Sequence, residues 1–361
     1  MKYKLYIKKL FLIISIFGSI IFLFNYIVDP YGISNKIRIK GFNFFKPAYH
    51  LNTREWKVYN SLDVNPDILF FGGSTMEYLK PEVSFLEVNN KIKPFNLALS
   101  SVTSFETLHY LKFATNNFDI NKIYYGIDFY SLLDTGKISS GSFDKEFLSS
   151  NYIILKLKYY QKFFSFDAIE KSINTIQLNI RDREGKTIGR HYNKYGSRTN
   201  TWKNYALKTY GNKWLENEFK HTVKHQFNKV YKNVSKNAIT LKKSYIKVLE
   251  LSKYNNIDIF TYTPPFYAKF YIKLINSRMY PIYKDYLLFL AKNGGFYHFQ
   301  ANNSITKNKN LFWDSIHARK EMSDELFSNI DNNICKKDFF GCFIDKDNID
   351  KLINYIENER Q

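Results

Sequence analysis

Hydrophobic positions along this chain fall into three patterns. The first is a continuous run from Leu10 to Phe24, extended through Asn25 and Tyr26 to Val28, with no acidic residue before Asp29. Leu10–Val28 would make a helix roughly 28 Å long, close to the ~30 Å hydrocarbon thickness of a bilayer. The second pattern is a set of short apolar runs that stop at small or polar residues. Asp67–Phe71 stops at Gly72-Gly73-Ser74, Phe95–Leu99 at Ser100-Ser101, Ile123–Ile127 at Asp128, and Ile257–Tyr262 at Pro264-Pro265. Each predicts a buried strand. The third is helical spacing between those runs. Thr103 with Glu106 is a capping-box signature, followed by Phe105, Leu108, Leu111 and Phe113. Leu241, Tyr245, Val248 and Leu249 line one helix face before the fourth run.

Strands alternating with helices predict an α/β fold, a mostly parallel sheet flanked by helices in three layers. Ligands of such sheets bind beyond the carboxyl ends of the strands, which is where Ser74, Ser101 and Asp128 fall. The expected organisation is a cytoplasmic tail at 1–9, a transmembrane anchor at 10–28 and a membrane-proximal connection at 29–60. An α/β domain follows at 61–335, interrupted by an insertion at about 136–236, and a C-terminal extension occupies 336–361.

Charge and composition change this picture in two places. Apolar residues are 45% and charged residues 24% of the chain, with 33 Phe and 29 Tyr, so a sizeable core can form and disorder is excluded. The net charge is +20, which suits nucleic acid, anionic lipid or an acidic polymer. Residues 181–236 hold 14 Lys/Arg against 4 Asp/Glu, half of the excess. That stretch reads either as a solvated helical face or as a binding surface. At the N-terminus, Lys2, Lys4, Lys8 and Lys9 precede the long apolar run. Basic flanks stay cytoplasmic, so the chain after Val28 is expected outside, on the periplasmic side or the cell surface. A cleaved signal peptide is the competing reading. It requires small residues at the end of the run, where this chain has Phe22-Leu23-Phe24-Asn25-Tyr26. An extracytoplasmic address excludes nucleic acid as the partner. Cys335 and Cys342 are the two cysteines. They exclude a disulfide-knotted scaffold and a four-Cys zinc site, and stand either as a small local disulfide or as two thiols.

Chemistry enters at the ends of the sheet. Ser74 follows Gly72-Gly73 at a strand-to-helix turn, which exposes its hydroxyl and places its N–H at a helix start, where an oxyanion is stabilised. Near the other end stands Phe312-Trp313-Asp314-Ser315-Ile316-His317. In a helical turn Asp314 and His317 share a face, so the aspartate can hold the imidazole while its second nitrogen takes the serine proton. His221 and His225 are four apart, but the glutamate of a zinc-protease motif is absent between them, and no metal site is expected. His109, in a periodic helix, reads as structural, and His298, within Gly294-Gly295-Phe296-Tyr297-His298-Phe299, as part of another strand or turn. No Gly-rich phosphate or dinucleotide loop occurs, so no cofactor is expected.

This set resembles the SGNH (GDSL-like) hydrolase superfamily. Phe71-Gly72-Gly73-Ser74-Thr75 is similar to its nucleophile block and Trp313-Asp314-Ser315-Ile316-His317 to its Asp-x-x-His block. The two middle blocks depart from the pattern. Ser101 stands where the superfamily has glycine, and Asp128 where it has asparagine. The resemblance covers roughly 65–135 and 237–330. It implies an SGNH/flavodoxin-like fold, Ser74 as nucleophile, His317 as base, Asp314 as its orienter, and the Ser74 and Ser101 N–H groups as oxyanion donors. An ionised Asp128 only accepts hydrogen bonds. It is therefore either protonated by burial, turned to orient another group, or a mark of weak or lost chemistry. With a membrane anchor, the chain resembles the SGNH-type proteins of alginate O-acetylation and teichoic-acid D-alanylation. That implies acyl transfer to, or removal from, a cell-envelope polysaccharide beside a membrane-bound O-acyltransferase. The alternative is an inactive glycan-binding or assembly subunit with the same fold.

Overall fold

Alternating side chains on three neighbouring strands decide where the core sits. In the computed structural model, which describes residues 2–34, 36–80, 85, 91–132, 138–140, 142–187, 191–230 and 238–360, the strands are β1 (Ile68–Gly72), β2 (Pro94–Asn96), β3 (Lys122–Gly126), β4 (Asp258–Tyr262), β5 (Phe296–His298) and β6 (Cys342–Ile344). They form one sheet in the order β2-β1-β3-β4-β5-β6. All neighbours are parallel except β5 and β6. The protein is thus α/β with a six-stranded, mostly parallel sheet. The four expected strands are present within a few residues of their predicted ends. β6 is an addition: three residues in an antiparallel edge pairing carry too little pattern to stand out.

The chain folds as two compact units. The sheet unit is Val64–Phe143, Tyr195–Arg198 and Ala206–Gln361; the helical unit is Met1–Asp63, Asp144–Lys194 and Thr199–Tyr205. The expected insertion at 136–236 is therefore split. Asp144–Lys194 and Thr199–Tyr205 pack with the N-terminal segment, while the residues up to Phe143, Tyr195–Arg198 and those from Ala206 belong to the sheet unit; residues 136–137, 141, 188–190 and 231–236 lie outside the described residues. The expected extension at 336–361 carries β6 and a final helix, and belongs to the sheet unit.

The helices are α1 (Lys2–Val28), α2 (Thr53–Val64), α3 (Ser74–Glu77), α4 (Ser104–Asn117), α5 (Lys145–Ser149), α6 (Tyr152–Gln161), α7 (Phe166–Arg181) and α8 (Thr201–His225, broken at Gly211). They continue with α9 (Ala238–Tyr254), α10 (Ala268–Ile275), α11 (Tyr280–Lys292), α12 (Ser304–Lys307), α13 (Glu321–Asp331) and α14 (Ile349–Glu359). On one face of the sheet, register aligns Phe70 with Tyr124 and Tyr124 with Phe260. Their rings stack at 5.3 and 5.4 Å, and Phe327 of α13 meets Tyr124 edge-on at 5.1 Å. Such pairs add about 0.5–1.5 kcal/mol each beyond burial itself. On the other face Tyr125 packs on Tyr245 of α9, and the Ser104 hydroxyl of α4 donates to the Leu241 carbonyl. The Thr103 half of the expected capping box forms: its hydroxyl oxygen accepts the Glu106 N–H at 3.3 Å. The Glu106 carboxylate accepts from the Ser140 amide.

In the helical unit α1 is long and apolar enough to cross a membrane. Its last carbonyls are satisfied from the chain that follows. Asn43 donates to Ile27 (2.7 Å), and the buried Lys46 ammonium donates to Val28 (2.7 Å). Burial lowers the Lys46 pKa to about 8. A cluster of Tyr49, Trp56 and Tyr192 fills the interior beside them.

Cys335 and Cys342 are joined as a disulfide, which closes the loop leading into β6. Next to it on β5, His298 is buried, and desolvation lowers its pKa to about 4. The unfolded chain therefore takes up a proton near pH 6.5 that the folded chain refuses until about pH 4. Stability is full above pH 6.5 and declines through that window by roughly 3 kcal/mol from this group. Thermal unfolding of His298→Gln, compared with the parent from pH 7.5 to 4, is expected to show a shallower acid loss of Tm.

Candidate active site

Ser74 is placed by the end of β1. Gly72 has φ +148°, and a Cβ there would lie 2.6 Å from the Gly126 carbonyl at the end of β3. Only glycine allows this close approach, so β1 turns sharply and Ser74 becomes the first residue of α3, following an extended Gly73. Its N–H is among the leading amides that the helix itself does not satisfy.

His317 and Asp314 are brought in by a different device. They lie in a bend, not in the helical turn their spacing suggested. Phe312 and Ala318 pair as an antiparallel bridge, and the Trp313 N–H donates to the His317 carbonyl at 2.8 Å. Within the bend the Asp314 Oδ1 accepts the Ile316 and His317 amides, both at 3.0 Å. These two bonds close the loop more tightly than helical geometry and fix the carboxylate. The Arg319 guanidinium lies 4.2 Å from the Trp313 ring centre, and its Nε donates to the Phe312 carbonyl.

The structure brings Ser74, His317 and Asp314 together. The Ser74 hydroxyl donates to His317 Nε2 at 2.8 Å across 243 positions. His317 Nδ1 donates to Asp314 Oδ2 at 2.7 Å. The Asp314 side chain is 5% exposed and the His317 side chain 17%, so the carboxylate is dry while the imidazole remains reachable. With Nδ1–H held by the carboxylate, Nε2 is the acceptor tautomer, and the chain of bonds can take a proton from the hydroxyl.

Asp128 is buried at the end of β3. Its Oδ1 accepts the Thr75 hydroxyl at 2.8 Å, so it is turned to hold the residue that follows Ser74. Burial, and after it the nearby Asp128 carboxylate, pushes the Tyr262 phenol well upward. Ser101 has φ +56°, the left-handed conformation that glycine adopts most readily. Nearby, the Ser100 hydroxyl donates to the buried Glu77 carboxylate at 2.7 Å.

Three residues of the site, Thr75, Tyr78 and Arg198, were not singled out by the sequence reading. Tyr78 packs against the His317 ring at 4.9 Å with the planes tilted by 57°, and the Arg198 guanidinium sits 4.6 Å from the Tyr78 ring centre. The Arg198 N–H donates to the Glu77 carbonyl at 2.9 Å. Thr75 and Tyr78 stand beside Ser74 in the chain, a local signal that was present. Arg198 gave no such signal, because its approach depends on the return of 195–198 to the sheet unit. His221 and His225 lie on the exposed side of α8 with ring centres 6.3 Å apart.

A cleft of about 560 Å³ opens beside the bend. Its floor includes Phe219, Tyr267 and Ser315, and Ser315 is the residue after Asp314. Tyr267 N–H donates to the Ser315 carbonyl, and the Ser315 hydroxyl donates to the Phe219 carbonyl. Lys220 and Lys224 of α8 and Lys269 and Lys273 of α10 line it, each pair one helical turn apart, with Lys309 and Glu216 at 3.5 Å from each other. The lining therefore carries five ammonium groups and one carboxylate.

The chain matches no protein-family model and no curated protein.

The Thr75–Asp128 pair gives a stability test. Asp128→Asn keeps the acceptor oxygen and is expected to unfold close to the parent. Asp128→Val strands a buried hydroxyl and is expected to cost about 1–3 kcal/mol more, read from denaturant midpoints.

Proposed function

We propose that the sheet unit is an SGNH-type serine acyltransferase or esterase. Its substrates are O-acyl groups of a cell-envelope polysaccharide, and α1 anchors it with the remaining chain extracytoplasmic. The observation that carries this reading is the unbroken chain of hydrogen bonds from Ser74 through His317 to Asp314. The strand order, the glycine-restricted turn before Ser74 and the left-handed Ser101 support the superfamily resemblance. The Cys335–Cys342 disulfide suits an oxidising compartment.

In this mechanism the Ser74 Oγ attacks the acyl carbonyl as its proton passes to His317 Nε2. The tetrahedral oxyanion faces the Ser74 and Ser101 amides. As the C–O bond to the leaving alcohol breaks, His317 returns the proton to that oxygen, leaving an acyl-serine. A sugar hydroxyl or water then attacks the acyl-serine with the same proton path reversed. Asp314 stays ionised and stabilises the imidazolium. The five-lysine cleft suits an anionic acceptor polymer, whose successive charges would meet two ladders of ammonium groups. A membrane-bound O-acyltransferase is the partner class that would deliver the acyl group.

A second reading has its own observation. Asp128 provides an acceptor where the superfamily has an amide donor, and an oxyanion donor is worth about 10²–10³ in rate. On this reading the unit binds glycan or organises assembly without turnover.

A fluorophosphonate probe separates the two. The folded parent is expected to be labelled at Ser74, Ser74→Ala to be unlabelled, and Asp314→Asn to react roughly 10³–10⁴-fold more slowly. An unlabelled parent with normal thermal unfolding, or a labelled Ser74→Ala, would overturn the catalytic reading. For the cleft, Lys220→Glu combined with Lys224→Glu is expected to raise KM for a polyanionic acceptor about tenfold. The double variant should also flatten the salt dependence that the parent shows, since screening acts on the same charges.

A further inference from the structure

Helix α7 buries small and polar residues and leaves part of an isoleucine stripe exposed at the edge of that face. Ala168, Ser172, Thr175 and Asn179 form its buried stripe. They hold polar partners inside: the Ser172 hydroxyl donates to the Asn25 side chain, and the Asn179 side chain bonds both the N–H and the carbonyl of Phe45. The isoleucines at the same spacing, Ile169, Ile173, Ile176 and Ile180, run about 100° round the helix from that stripe, with Ile169 and Ile176 half-buried beside it. Ile173 is 45% and Ile180 59% exposed. A water-facing helix turns such a stripe to the core; here it stays at the edge, while Glu170, Asn174, Gln177 and Arg181 take the side opposite the buried residues. The adjoining segment continues the apolar surface: Leu157 of α6 is 58% exposed, Phe164 55% and Phe166 79%.

The position of this surface along α1 identifies what covers it. Phe22 packs against Phe164 at 4.8 Å and Phe163 at 6.0 Å, and Asn25 is buried with its amide donating to the Phe163 carbonyl. Protein therefore begins to enclose α1 at Phe22. From Leu10, just after the last lysine, to Phe22 the helix rises only about 18 Å. A hydrocarbon layer is ~30 Å thick, so the bare part of α1 is short by about 12 Å. The apolar surface of α6 and α7 flanks the turns that would make up the difference.

We propose that α6, the 162–164 turn and α7 form a collar sunk into the outer leaflet around the end of α1, with lipid acyl chains covering Leu157, Phe164, Phe166 and the isoleucine stripe. The helical unit is then seated in the membrane as well as tethered to it. Lys156 and Lys158, half-buried along the same segment, can extend their ammonium groups toward the headgroups. This inference rests on the membrane-spanning reading of α1 and is independent of the chemistry at Ser74.

The test uses the full chain in vesicles of phosphatidylcholine and phosphatidylglycerol, with single environment-sensitive labels on Leu157→Cys, Phe166→Cys and Ile173→Cys. The native cysteines are joined to each other, so each new thiol is labelled alone. Phe17→Cys in α1 and the exposed Tyr254→Cys in the sheet unit serve as references, and each protein must retain the parent's thermal unfolding. The three collar labels are expected to be quenched by acyl-chain nitroxide roughly threefold more than Tyr254→Cys, and shielded from aqueous iodide. Collar labels open to iodide while Phe17→Cys is quenched from the lipid would overturn the collar and leave the span intact. A Phe17→Cys label open to iodide would overturn both. Collar labels shielded from both quenchers would assign the surface to a second copy of the chain and overturn the lipid assignment.

Discussion

The hydrogen bond between the Ser74 hydroxyl and His317 Nε2 joins two segments that the chain separates by 243 positions, and the rest of the site is arranged around the need to hold it. One end is fixed by the sheet, because the approach of Gly72 to the Gly126 carbonyl leaves a single path for the turn into α3. The other end is fixed by a bend whose amides are consumed by Asp314. Two further bonds tie the ends to common ground. The Ser323 hydroxyl donates to the Leu79 carbonyl, linking α13 to the residues after α3. Tyr267, just past β4, donates to Ser315 inside the bend. A misplacement of about 1 Å in such a relay is costly, which is why so many short bonds converge on a few residues.

The aromatic ladder beneath the site provides the stiffness these bonds require. Phe70, Tyr124 and Phe260 occupy adjacent register positions on three central strands and stack on one another. Phe327 closes the ladder from α13, the helix that follows the His317 bend. Strand register and the position of the imidazole are thus set by one packed cluster. The Tyr124 hydroxyl adds a bond to Asp331 at 2.6 Å, so the polar tip of a buried ring is satisfied at the end of the same helix.

Charge is used differently in the two units. In the helical unit, polar groups such as Asn25, Lys46 and Asn179 are bonded inside beside the aromatic cluster, and several apolar side chains of α6 and α7 are left exposed. In the sheet unit the core is aromatic, and lysines gather on the walls of a cleft. The first pattern is suited to lipid and the second to an anionic ligand in water. Both draw on the same lysine-, tyrosine- and isoleucine-rich composition, which explains why a net charge summed over the chain did not separate them.

Four strands, their order of appearance, the Thr103 cap and an apolar helix at the N-terminus were legible in the chain, because each depends on neighbours within a few positions. Ser74 and His317 were legible as candidates for the same reason: glycines before one and an aspartate three before the other are local marks. The bend that holds Asp314, the turning of Asp128 toward Thr75, and the packing of Tyr78 against the imidazole with Arg198 behind it were decided only in three dimensions. So was the division of 136–236 between two units, since residue spacing says which side of a helix is apolar but not what that side will face. α7 shows the difference most directly. Its isoleucine stripe is plain in the sequence and would be assigned to a core, yet Asn25 and Phe45 claim the polar side. Local periodicity is set by backbone geometry, whereas partnership is set by which distant groups can satisfy one another's hydrogen bonds once the chain has closed.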